Sequence, residues 1–153
     1  MAAIKKKIPA KTKKKKKRNE YWDSKYFSVP CNTFNLDLGV FVNLSEEEIM
    51  QHARKAGVKD VVLEHLPEAV SDWDADPTLM GLMIQPGNAC YMILLRLNKN
   101  RFRDAMGTLV HEVHHAVTYI LRNKRIPLTI DTEEVHAYLH EELVTKVLDK
   151  LYD

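Results

Sequence analysis

Residues 101–123 read RFRDAMGTLVHEVHHAVTYILRN. Phe102, Met106, Leu109, Val113, Ala116, Val117 and Ile120 recur at steps of three and four, which predicts one long amphipathic helix with these residues as its core face. Within it, His111-Glu112-Val113-His114-His115 has the form H-E-x-x-H. On a helix His111 and His115 project from one side, one above the other, next to the core face. Two imidazole nitrogens so placed can hold a zinc ion, and Glu112 then stands where a general base would act. Thr108, Leu109, Val110, Ala116 and Val117 around the motif are small or apolar, so partial burial is expected. Burying three histidines and a glutamate without a partner is costly, and a metal removes that cost.

Downstream, Pro127 breaks the chain. Asp131 or Thr132 caps a last helix that runs to about Leu151, with Val135, Leu139, Leu143, Val147 and Leu151 as its buried stripe. The connection is short, so the two helices should pack as an antiparallel pair. A catalytic zinc site commonly takes three protein ligands and keeps a position for water. Four candidates for the third ligand lie on the last helix: Glu133, Glu134, His136 and His140. Glu133 reads rather as a solvated first-turn acid favoured by the helix dipole. Glu134, three residues after Asp131, has a capping box as its other reading. His136 and His140, four apart, are a second pair or two surface histidines.

Eighteen residues separate His115 from Glu134. The arrangement HExxH-x18-E resembles the gluzincin superfamily of zinc metallopeptidases. The stretch from Thr108 through His111-Glu112, together with Glu134 to Leu139, is similar to small phage and prophage proteins. Those proteins carry a minimal gluzincin core of a sheet, an HExxH helix and a glutamate-bearing helix. The likeness covers residues 80–150. It implies His111, His115 and Glu134 as ligands of Zn2+, Glu112 as the base, and a peptide or protein substrate. Tyr138, one turn after Glu134, then becomes the group that supports a ligand or the developing oxyanion. It also implies a cytoplasmic protein, in the host cell if phage-encoded. The extra histidine, His114, departs from the pattern. HExxH followed by Ala116 and an apolar helix also resembles the SprT-like proteases, whose third ligand is a histidine. That reading recruits His136 or His140, and gives the N-terminus a role in holding DNA. A metal-stabilised binding protein without turnover is the third expectation.

Upstream, Gly81 to Ile84 and Ala89 to Leu97 read as strands around a Pro86-Gly87-Asn88 turn. The second is apolar almost throughout, as a central or well-covered strand would be, though it is also the strand considered as an edge for an extended peptide. Ser71 to Pro77 reads as an acidic loop. Its Asp72, Asp74 and Asp76 alternate like the start of a calcium loop, but Pro77 replaces the turn glycine and Met83 the bidentate glutamate, which excludes calcium. Asp60 to Val70 is ambiguous, with Pro67 against one long helix. Ser45-Glu46-Glu47-Glu48 is a capping box that opens a helix to about Ala56, stopped by Gly57. Tyr26 to Phe34 and Leu36 to Leu44 suggest a hairpin. The fold class is therefore α+β: a small antiparallel or mixed sheet packed on the HExxH helix and an antiparallel C-terminal helix, zincin-like, over residues 20–153.

The net charge of +2 hides a division: residues 1–18 hold ten basic and no acidic side chains, and the rest 13 basic and 21 acidic. A lysine-rich tail over residues 1–19 should be disordered. Lys5 to Arg18 offers a salt-sensitive, sequence-independent contact with nucleic acid or an anionic surface. No apolar run approaches the ~18 residues of a membrane span, and none follows the lysines as in a secretory signal. Cys31 and Cys90 are far apart and outside any CxxC pair, which points to buried free thiols in a reducing interior.

Overall fold

The computed structural model describes residues 21–153 except 88 and 89. The lysine-rich tail and Asn88 of the expected turn lie outside the described residues. A four-stranded sheet has the order β1-β2-β4-β3. Strands β1 (Lys25–Cys31) and β2 (Leu36–Val42) form the expected antiparallel hairpin, from Lys25 opposite Val42 to Cys31 opposite Leu36. A 3-10 turn over Asn32–Phe34 joins them. Strands β3 (Gly81–Gly87) and β4 (Cys90–Leu95) are also antiparallel. β2 and β4 run parallel, from Leu38 beside Tyr91 to Val42 beside Leu95, so the sheet is mixed.

Helices cover both faces. On one side lie α1 (Glu46–Lys55), α2 (Asp60–Leu63) and α3 (Leu66–Ala75). On the other lie α4 (Phe102–Asn123) and α5 (Glu133–Tyr152). β4 shows why. Its Tyr91, Ile93 and Leu95 join Leu109, Val113, Leu139 and Leu143 in one core. Its Met92 and Leu94 alternate to the other face and join Phe41, Ile49, Leu66 and Trp73 in a second. Side chains of successive strand residues point to opposite faces. A strand apolar throughout is thus one covered on both sides. β4 is interior, so it cannot offer a free edge to a peptide; the edges belong to β1 and β3.

Local chemistry sets the helix ends. The Ser45 side chain accepts from the Glu48 amide while the Ser45 amide donates to Glu48 at 2.9 Å, the expected capping box. The acidic stretch from Ser71 is helical rather than a loop. Pro67 sits in the first turn of α3, where its missing N–H costs nothing. Val70 and Trp73 are buried, and the Arg96 guanidinium lies 3.9 Å from the centre of the Trp73 ring while pairing with Asp74 at 3.5 Å. Burial and this clamp override the loop-like composition. α4 ends in a Schellman motif: the Ile126 amide donates to Leu121 O at 2.9 Å and the Arg125 amide to Arg122 O at 3.0 Å, with Arg125 left-handed at φ 60°.

α4 and α5 are antiparallel. His140 of α5 approaches the Val110 carbonyl of α4 at 3.3 Å, and both Phe102 and Tyr152 pack on Trp22 with ring centroids 6.4 Å away. Two expected core residues lie outside it. Phe102 is 53% exposed because, at the start of α4, it leans on Trp22 instead of entering the core. Val135 is 41% exposed, and Ile126 from the preceding loop packs against that end of the core. Leu139, Leu143, Val147 and Leu151 are buried as expected. Cys31 is buried and Cys90 half-buried, both free, and burial pushes both thiols up. No described helix is long and apolar enough to cross a membrane.

Candidate metal centre and active site

His111 and His115 lie one turn apart on α4, with ring centroids at 4.6 Å, planes perpendicular, and Nε2 atoms 3.0 Å apart. Both rings are exposed. Their helical phase is about 160° from Val113, so they stand nearly opposite the core rather than beside it. The expectation that the motif histidines are partly buried beside the core face is therefore corrected. α4 lies against the sheet on one side only, which leaves its far side to water. Two bonds of about 2.0–2.1 Å to a tetrahedral zinc require nitrogens roughly 3.3 Å apart. The pair is close to that separation without rearrangement.

Glu112 behaves differently. It is the buried charged residue among those described, 6% exposed, and it points from α4 toward β3. Gly81 opens that strand directly against it. A Cβ placed on Gly81 would lie 2.7 Å from Glu112 Cγ and from Thr108 Cγ2, and 2.8 Å from Glu112 Oε1. Burial raises the Glu112 pKa, opposed by nearby His111 and His115 and by a hydrogen bond from the Met83 backbone. A carboxyl whose proton affinity is raised above its ordinary value is better suited to general base and acid work. Sequence reasoning passed over Gly81 as a site residue. The available signal was a glycine inside a strand pattern, which marks a close approach.

The remaining candidates separate. His114 faces α5, its ring 5.9 Å from that of His140, and burial with the neighbouring histidines lowers its pKa. His136 is half-buried, and its Nε2 is enclosed without a hydrogen-bond partner. Glu133, Glu134 and Tyr138 are exposed, Tyr138 at 67%. Thr132 caps α5 without bonding its amides; its hydroxyl donates instead to Pro127 O and accepts from the Thr129 amide. The Asp131–Glu134 capping box is not formed. The structure thus brings together His111, His115 and Glu112. Among the described residues it gathers no group of three histidine, cysteine or acidic side chains arranged to hold a metal.

Compared with known proteins, the chain matches no family model, no curated protein and no solved structure.

Proposed function

We propose that the chain is a zinc-dependent metallopeptidase. The observation that carries this is the His111–His115 pair, Nε2 to Nε2 3.0 Å, beside a buried Glu112. The donors fit the ion: two imidazole nitrogens at near-ligand spacing are a zinc seat. His111 and His115 would hold it, with Glu134 of α5 completing the set. When bound, zinc supplies Lewis acidity toward a carbonyl oxygen and acidifies water.

The protein's own groups supply the rest. Glu112, raised by burial, accepts a proton from the attacking water at a carboxylate oxygen and returns it to the departing amine. β3 is an edge strand, so its backbone can pair with an extended peptide next to Glu112. Gly81 allows that strand to lie close enough. Tyr138, exposed one turn after Glu134, is available to hydrogen-bond the substrate or a ligand.

One observation favours a second reading, a SprT-like protease with a histidine as third donor: His140 already rests against α4, whereas Glu134 is exposed. Zinc content of purified variants decides. His111→Ala and His115→Ala should each lose the metal. Loss in Glu134→Ala with retention in His140→Ala and His136→Ala supports the gluzincin-like set. The reverse pattern replaces it with the histidine set. Zinc-free wild-type protein overturns both.

A further inference from the structure

The outward face of α4 does not end at the histidine pair. His111, His115, Thr118 and Arg122 follow at steps of four, three and four, so one stripe continues from the candidate metal seat toward the helix C-terminus. It leads into a cavity of about 350 Å³ lined by Thr118, Arg122, Arg125, Leu128 and His136. Two features of this cavity point to a ligand. Arg122 and Arg125 have no carboxylate within ion-pair distance among the described residues, although residues 19–153 as a whole are acidic. His136 lines the cavity as well, its Nε2 enclosed without a hydrogen-bond partner.

We propose that this cavity binds a carboxylate of the peptide substrate and so sets specificity, an inference that rests on the metallopeptidase reading of the neighbouring site. Two guanidinium forks match a carboxylate in geometry and charge. Leu128, Ile126 and Pro127 give an apolar wall for the aliphatic part of the residue that carries it. Arg122 lies seven positions after His115, about 10 Å of helix rise. Helical side chains lean toward the N-terminus, which brings the Arg122 head back toward His115. An extended peptide covers about 3.3–3.6 Å per residue. The recognised carboxylate therefore lies two to three residues from the bond to be cut. It belongs either to a free C-terminus or to an aspartate or glutamate side chain.

The test is fluorescence anisotropy on the full zinc-loaded chain carrying Glu112→Gln, so that nothing is turned over. Three labelled heptapeptides serve as probes: a neutral one with a free C-terminus, the same one amidated, and an amidated one with an internal glutamate. At least one carboxylate peptide should bind about 10- to 100-fold more tightly than the neutral amide, the range for a charge-assisted pair. Which one does so identifies the source. Arg122→Gln and Arg125→Gly should each abolish the preference. Arg125→Gly should at the same time raise the thermal midpoint by relieving the left-handed backbone, so unfolding cannot mimic the loss. Equal binding of all three peptides, no binding of any, or a preference that survives both substitutions overturns the proposal. Carboxylate preference in a protein whose wild type cuts no peptide keeps the anion site and removes the peptidase. Cleavage without preference does the reverse.

Discussion

The two sides of the sheet are built to different tolerances. On the α4–α5 side a single core runs from Trp22 to Leu151; its open space, about 600 Å³ beside Trp22, Phe102 and Tyr152 and about 350 Å³ beside Arg122 and Leu128, lies at the two ends of α4, and between α4 and β3 Gly81 has no space for even one methyl group. On the α1–α3 side an open cavity of about 530 Å³ remains between the sheet and the helices, with Gly39, Tyr26 and Phe41 among its walls. A Cβ on Gly39 would come no nearer than 3.2 Å to Phe41 Cε2 and 3.6 Å to Tyr26 Cε2. The dense side is the one that buries a carboxylate. Close packing over-determines where Glu112 points, and that is what the proposed proton transfer needs. The loose side carries ordinary caps and clamps at its rim.

The comparison can be broken by substitution. The largest expected effect is Leu109→Ala, in the dense core, with a loss of about 2–5 kcal/mol in urea unfolding. Less than 1 kcal/mol would mean that the α4–α5 side is not tightly packed. Gly81→Ala follows, at about 1–3 kcal/mol from overpacking, with hydrolysis lost as Glu112 is displaced. The same change on the other side, Gly39→Ala, should cost less, under about 1 kcal/mol, because its Cβ meets the edge of the Phe41 ring at 3.2 Å and a shift of a few tenths of an ångström accommodates it. Equal costs for the two glycines would erase the distinction.

The smallest effects are in pH, and they have opposite signs on the two sides. In the metal-free protein, burial raises the Glu112 pKa. The stability linked to this group is complete below the ordinary carboxylate range and is lost as pH rises through the raised value. Glu112→Gln should therefore melt higher than wild type at neutral pH, and the gap should close in acid. On the α1 side, the Ser45 amide and hydroxyl hold Glu48 below its ordinary pKa. Its contribution is present above that range and fades as pH falls through the lowered value. Glu48→Gln should melt lower than wild type at neutral pH and converge with it in acid. Melting curves from pH 3 to 8 measure both; the same sign for the two variants would contradict the assignment.

Much of this architecture is legible in the residues. The Ser45–Glu48 box, the β1–β2 hairpin and the two long helices follow from local chemistry and periodicity. The unbroken apolar run of β4 announces an interior strand. What escapes the sequence depends on tertiary contacts. α3 looks like an acidic loop until Trp73 finds Arg96. Phe102 and Val135 fit the helical stripes but lie at helix ends, beyond the core they point toward. The motif predicts the His111–His115 pair, but not that the glutamate alone of its polar residues is buried, because that depends on a glycine thirty-one residues earlier. The spacing to Glu134 is a property of the chain; the first turn of α5 leaves that side chain exposed.

The central claim is that His111 and His115 hold a zinc ion for which Glu112 moves the proton. The most direct measurement is zinc stoichiometry together with peptide hydrolysis, on wild type and Glu112→Gln side by side. About one zinc per chain is expected in both proteins, with hydrolysis by wild type and a rate lower by at least about 100-fold in the variant. A variant that cuts as fast as wild type, or a wild type that binds no zinc, would contradict it.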